Sequence, residues 1–256
     1  MQHPLTPGNP FGYTPKGLAF EIVLESGVRG AHLDYGAHSG DFVAALGAAG
    51  LVTSGVGVDV NVQVVERFRP SMPPNVRLES IVKHAPLDFP RASFDSVSII
   101  GVLEHVHDQT RLLRQLVALL KPGGLLVIAV PGAHLFSWAD MGNFKFRFPR
   151  LHRLIYTALH SPEEYRARYV ECRHGLFGDI EVEKMWHEHF SESSMRRLLE
   201  PLGVRVEQVD GQGFFQRPMA NLAYFVGGRS GPLRPLIDID ARLFDHCELV
   251  FSARVG

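Results

Sequence analysis

Cysteine is scarce in this 256-residue chain: Cys172 and Cys247 are the only two, and they stand far apart. That excludes a disulfide framework and a zinc ribbon, and leaves reduced thiols in a cytosolic protein as the simplest reading. Charge of one sign is lacking too. Twenty-six Lys and Arg face 27 Asp and Glu, so nothing draws the whole chain toward nucleic acid or an anionic membrane, and any basic site must be local. No segment reaches the ~18 to 20 apolar residues of a membrane span, and the start Met-Gln-His-Pro-Leu-Thr-Pro-Gly has no basic region followed by an apolar run. Internal repeats and low-complexity tracts are absent. A cytoplasmic protein is expected, with residues 1–256 as one α/β domain and no second domain required.

The chain does contain a regular alternation. Strands are expected near Ala31 to Tyr35, Ser54 to Val58, Val76 to Ile81, Phe94 to Ile100 and Leu125 to Val130, with helices between them. Such alternation argues for a doubly wound, mostly parallel sheet with right-handed crossovers. The clearest helix runs from Thr110 to Leu120, where Leu112, Leu113, Leu116, Val117 and Leu120 recur at helical spacing. Asp108 is its natural N-cap, and Lys121-Pro122-Gly123-Gly124 is a firm stop. Residues 1–25 read as an irregular arm, with four prolines and three glycines before residue 18, then a short helix from about Leu18 to Glu25. The arm is either a flap over the site or a frayed end.

Between residues 131 and 190 the rhythm fails and the composition turns aromatic and basic. Phe136, Trp138, Phe144, Phe146, Phe148, Tyr156, Tyr165 and Tyr169 mingle with Lys145, Arg147, Arg150, Arg153, Arg166 and Arg168. An insertion here leaves the sheet at its carboxyl edge, where doubly wound folds bind ligands, so it is placed to act as a lid and acceptor pocket. Its arginines suit an acidic acceptor or a solvated helix face, and its aromatics suit stacking on a sugar or ordinary packing. Ser191 then starts a helix through about Pro201, followed by strands Val204 to Val209 and Glu248 to Val255.

The most informative stretch is His32-Leu33-Asp34-Tyr35-Gly36-Ala37-His38-Ser39-Gly40, with Asp59 nineteen residues after Gly40 in Gly-Val-Gly-Val-Asp. It reads as a buried strand ending in a carboxylate, a glycine turn and a short helix from Asp41 to Ala49, whose first backbone N–H groups face a ligand. Dinucleotide sites carry G-x-G-x-x-G instead. The D-x-G-x-x-x-G spacing here therefore argues against a nicotinamide oxidoreductase.

At this point the chain resembles the class I S-adenosylmethionine-dependent methyltransferases, most closely the bacterial small-molecule and sugar O-methyltransferases. The likeness continues through Asp59, Ser93-Phe94-Asp95-Ser96-Val97, Val102-Leu103-Glu104-His105-Val106-His107-Asp108 and Leu120-Lys121-Pro122-Gly123-Gly124-Leu125. It implies a seven-stranded Rossmann-like sheet with the last strand antiparallel, and S-adenosyl-L-methionine as methyl donor. It further implies Asp59 on the ribose diol, Gly36 and Gly40 beneath the donor's amino-acid end, and Asp34 acting through water or by fixing the turn. Ala85 and His84 would lie beside the adenine, and Gly101 and Glu104 beside the donor after the fourth strand. Two departures stand out: Ala37-His38 replaces the family's middle glycine, and His84 stands where an acidic residue is common. Neutral histidine can still hydrogen-bond an adenine amine.

Methyl transfer is an in-line displacement that positioning alone can accelerate, and a base is needed only for a hydroxyl or a protonated amine. Histidine suits that task near neutral pH, and the chain has thirteen. His105 follows the fourth strand. His187 and His189, in Trp186-His187-Glu188-His189-Phe190-Ser191, belong to a segment that resembles one bordering the acceptor pocket in bacterial sugar and natural-product methyltransferases. These three are the candidate catalytic residues. In ubiquinone-type O-methyltransferases the Glu104-His105 pair helps bind a divalent metal, but the further glutamate of that site is Gly101 here, and His187 with His189 lacks an evident third ligand; no metal is expected. The acceptor is expected to be a small metabolite, sugar or glycolipid precursor, acidic or glycosidic in character. An N-methyltransferase and a non-catalytic donor-binding protein remain as alternatives, and the oligomeric state is open.

Overall fold

The computed structural model describes residues 5–83, 85–137, 147–170, 187–216, 218–219, 222 and 234–256. Among the residues singled out above, His84, Trp138, Phe144, Lys145, Phe146, Cys172 and Trp186 lie outside that set.

Seven strands form one sheet: β1 (Ala31–Tyr35), β2 (Ser54–Asp59), β3 (Val76–Ser80), β4 (Phe94–Ile100), β5 (Leu120–Pro131), β6 (Val204–Gln212) and β7 (Glu248–Val255). Their order is β3-β2-β1-β4-β5-β7-β6. β1 to β5 run parallel, and β7 inserts antiparallel to both β5 and β6. The helices are α1 (Pro15–Glu25), α2 (Asp41–Ala48), α3 (Val62–Phe68), α4 (Gln109–Leu119), α5 (Pro149–Leu159), α6 (Pro162–Tyr169), α7 (Glu192–Leu199) and α8 (Arg234–Leu243).

Period-two alternation along β5 builds both layers. Leu126, Ile128 and Val130 pack into a core with Leu113 and Leu116 of α4 and Met195 and Leu199 of α7. Leu125, Val127 and Ala129 pack with Ile22 of α1 and with Phe42 and Leu46 of α2. The sheet is thus wound on both faces, and folds of this kind bind ligands at the carboxyl edge of the sheet.

Asp108 caps α4 through a 3.0 Å bond from the Arg111 N–H, and Ser191 opens α7 with a reciprocal capping box to Ser194. The expected start of β5 at Leu125 is corrected to Leu120. Phe94 pairs with Leu120 and Ser96 with Leu125, so Lys121-Pro122-Gly123-Gly124 is a bulge inside the strand. Pro122 has no N–H to pair, Gly123 takes a φ of 73°, and Lys121 Nζ holds both Asp95 oxygens at 2.8 Å. β6 runs three residues beyond Val209 because its pairing with β7 continues to Gln212 opposite Glu248.

The described part of the arm folds back on α1. Glu21, buried on that helix, accepts from the Thr6 N–H at 3.0 Å, Thr6 Oγ1 at 2.7 Å and Asn9 Nδ2 at 2.7 Å. Phe11 packs edge-on against Phe20 and tilted against Phe42. The helix also starts earlier than expected, at Pro15, because Thr14 caps it by accepting from the Gly17 N–H.

Within the 131–190 region, α5 and α6 form a helical pair. His152 and Tyr156 are buried against Tyr165 and Tyr169, and Tyr156 OH donates to Glu164 Oε1 at 3.1 Å.

Candidate active site

β1 ends at Tyr35, and the next five residues wrap over the end of β2. The Gly36 and Ala37 N–H groups both donate to Val58 O, at 2.9 and 3.0 Å. Gly36 has φ 78°, and a Cβ there would lie 2.2 Å from Val102 Cγ2. Only glycine fits both demands. That approach also places the loop directly against the segment after β4. His38 takes the left-handed conformation that the family's middle glycine would adopt freely, at φ 49°, while its side chain points to solvent. Gly40, at φ 72°, starts α2.

Asp59 holds this loop shut. Its Oδ2 accepts from the His38 N–H at 2.7 Å and its Oδ1 from the Asn61 N–H at 2.8 Å. Each carboxylate oxygen keeps a further lone pair, so the group can bind two hydroxyls while staying oriented.

Beneath the loop lies a polar chain that sequence reasoning missed. Ser96 Oγ stands 2.8 Å from His32 Nδ1, His32 Nε2 stands 2.9 Å from Ser98 Oγ, and Ser98 Oγ donates to Asp34 Oδ1 at 2.7 Å. Because Ser98 spends its proton on Asp34, it must accept from His32 Nε2–H. His32 Nδ1 is then the acceptor, and Ser96 the donor. Burial drives the His32 pKa down to about 3, so the ring is neutral. Burial also raises Asp34 to about 6; the Ser98 bond and the Lys16 charge oppose this, while Asp41 and Asp59 add to it. The sequence signal was a histidine and two serines at inward positions of otherwise apolar strands.

The third part of the site follows β4. Gly101, at φ 67°, turns the chain into a single helical turn, Leu103–His105, whose Glu104 is buried. His105 Nε2 lies 3.9 Å from Glu104 Oε1 and 3.2 Å from His187 Nε2. Two anchors bring His187 there across 82 residues. Gln109 Nε2 donates to Leu103 O at 3.2 Å and to Glu188 Oε2 at 2.8 Å. Phe190 bonds on both sides of Gly132, through its N–H to Pro131 O and its O to the Ala133 N–H, each at 2.8 Å. Of the two histidines in the His187-Glu188-His189 run, His187 is thus the one that meets His105. Among the described residues, the group of ligand atoms close enough to hold a cation is Glu104, His105 and His187, all within 4.8 Å of one another. Two imidazoles and one carboxylate form a donor set that fits a divalent transition ion. His187, not His189, lies beside Glu104 and His105, and its separation from them in the chain hid this grouping. Ala85 follows β3 in a turn, its N–H on Val82 O at 3.1 Å.

These features match a known family. The model of the family described as "Methyltransferase domain" matches residues 18–209. The chain belongs to that family. The methyltransferase-domain chain also has the class I fold of S-adenosylmethionine-dependent methyltransferases. It superposes on an S-adenosylmethionine-dependent methyltransferase from Mesorhizobium loti with TM-score 0.58 and 18% identity, covering 94% of this chain and 98% of that one. It also superposes on the 1,6-didemethyltoxoflavin-N1-methyltransferase of Burkholderia thailandensis, a structure with bound 1,6-didemethyltoxoflavin and S-adenosylhomocysteine, with TM-score 0.56 and 16% identity, covering 95% and 78%. A stretch of 70 residues is 39% identical to the methyltransferase str2 of Strobilurus tenacellus. That stretch is 27% of this chain and 26% of the relative, so the chain matches only about a quarter of the relative's length.

Proposed function

We propose that this chain transfers the methyl group of S-adenosylmethionine to a hydroxyl of a small molecule, with the His105–His187 pair taking the proton. The observation that carries the reading is the 3.2 Å approach of the two imidazoles, one of them on the segment whose Val102 lies against Gly36 of the glycine loop. In the proposed complex Asp59 accepts from the ribose hydroxyls, Gly36 and Gly40 let the backbone close on the amino-acid end, and Asp34 faces the donor's positive charge. Gly101 and Glu104 border the reacting methyl, and Ala85 lies on the adenine side.

Displacement at the methyl forms the O–C bond as the C–S bond breaks; its electron pair stays on sulfur, neutral S-adenosylhomocysteine leaves, and the acceptor oxygen gives up its hydroxyl proton. An acceptor hydroxyl that hydrogen-bonds to a proton-accepting nitrogen of the pair gives its proton to that ring. Glu104, 3.9 Å from His105, stabilises the imidazolium so formed. Neutral amines need no such base, which is why the pair favours a hydroxyl. The same three residues favour one second reading, in which they hold a divalent cation that lowers the hydroxyl's pKa.

The test is transfer of labelled methyl from S-adenosylmethionine to sugars, phenols, hydroxy acids and amines, with and without a chelator. Label on hydroxyl acceptors is expected, with His187→Ala losing roughly a hundredfold or more in kcat and leaving S-adenosylhomocysteine affinity within about twofold. Label on amines alone, or full turnover by His187→Ala, refutes the reading. Loss of turnover on chelation selects the cation, and tight donor binding without transfer to any acceptor class selects a non-catalytic donor-binding protein.

A further inference from the structure

Among the described residues, the large apolar side chains left in solvent all sit in connections at the carboxyl edge of the sheet. They follow β2, β3, β5 or β6, or precede the antiparallel β7. The densest set is on α5. That helix buries His152 and Tyr156 against α6 and turns Leu151, Leu154 and Ala158 outward, one turn and two turns apart along one face. Leu154 is 66% exposed and Leu151 45%, with Phe148 at 51% just before the helix. Arg147 and Arg150 flank this stripe and are themselves exposed. From Arg147 to Leu159 the chain contains no acidic residue, although its overall charge is balanced.

We propose that α5 is a membrane-docking helix that lays its leucine stripe into an anionic lipid bilayer, with Arg147 and Arg150 on the headgroup phosphates. An amphipathic helix with apolar side chains on one face and arginines beside them lies in the plane of a bilayer interface and gains from both burial and charge. Guanidinium groups pair bidentately with phosphate oxygens. A second copy of the chain is the poorer occupant, because the face from Arg147 to Leu159 carries no acidic residue that could meet a partner's arginines. The inference stands on α5 alone and does not require methyl transfer.

The experiment is flotation of the full chain with phosphatidylcholine vesicles, with and without one-third phosphatidylglycerol. The chain is expected to float with the anionic vesicles at low salt and to stay behind with neutral ones or at high salt. Leu151→Glu/Leu154→Glu, and separately Arg147→Glu/Arg150→Glu, should lower partitioning by roughly tenfold or more. S-adenosylhomocysteine affinity and the thermal midpoint, measured on the same samples, show that the variants are folded. The proposal is overturned if the wild type stays behind with anionic vesicles, floats equally with neutral ones, or floats no better than the folded variants. Self-association abolished by the leucine pair, without flotation, also overturns it and gives the face to a second copy.

Discussion

Asp34 offers the sharpest test of how the donor is held. Its pKa is raised to about 6, chiefly by burial, so the carboxyl titrates where donor affinity is easily measured. The donor and its product both carry an ammonium group that stays charged from pH 5 to 8, and a cation binds the ionised carboxylate in preference to the neutral acid. At pH 7 about nine-tenths of Asp34 is ionised, and at pH 5 only about one-tenth. The Kd for S-adenosylhomocysteine is therefore expected to rise roughly tenfold between pH 7 and pH 5. Asp34→Asn should bind weakly at pH 7 and lose that dependence, because the amide keeps the bond from Ser98 but cannot ionise. Titration calorimetry of both proteins at pH 5, 6, 7 and 8 is the assay. A wild-type Kd constant within twofold over that range, or the same pH dependence in Asp34→Asn, would refute the reasoning.

His32 sets an opposite dependence on stability. Its folded pKa, about 3, lies below the unfolded value of 6.5, so the unfolded chain binds the extra proton and stability falls as pH drops below 6.5. Between pH 7 and pH 5 this amounts to about 2 kcal/mol. Asp34, raised from 3.8 to about 6, changes the other way, favouring the folded state by about 1 kcal/mol over the same interval. His32→Gln should remove the histidine part, so the wild-type-minus-variant stability from urea unfolding should fall by about 2 kcal/mol from pH 7 to pH 5; a pH-independent difference would sink the assignment. The glycine loop supplies a paired test: His38→Gly relieves a left-handed φ of 49° and should stabilise by up to about 1 kcal/mol, whereas Gly36→Ala meets Val102 at 2.2 Å and should cost at least about 2 kcal/mol. Thermal midpoints of the two variants moving in the same direction would contradict that account of the loop.

Most of the sheet was legible because its strands are apolar, short and bounded by turn residues, and the Gly36 to Gly40 turn announces the site. The start of β5 was not legible, since Pro122-Gly123-Gly124 reads locally as a stop, and only pairing with β4 shows that the strand begins before it. Nothing local marks His32, Ser96 and Ser98 as partners; their hydrogen-bond chain needs the register of β1 on β4, where His32 pairs with Ser96 and Asp34 with Ser98. The meeting of His105 with His187 is a long-range contact that no local pattern encodes. Its local trace was the Phe190-Ser191 boundary, where an apolar anchor precedes a helix cap.

The described parts of the 131–190 region are held in two different ways. Its last residues are built into the core: Phe190 is buried and bonded to the end of β5, and Glu188 is tied to the buried Gln109. His187 is thereby placed by the sheet and α4, the same elements that place Glu104 and His105. The α5–α6 pair rests on its own cluster of His152, Tyr156, Tyr165 and Tyr169, and its outer face carries leucines and arginines instead of catalytic groups. Sequence change on that outer face can alter what the protein approaches without moving the histidines. The proposed proton transfer thus rests on residues tied to the sheet and α4, and the proposed membrane contact on the helical pair.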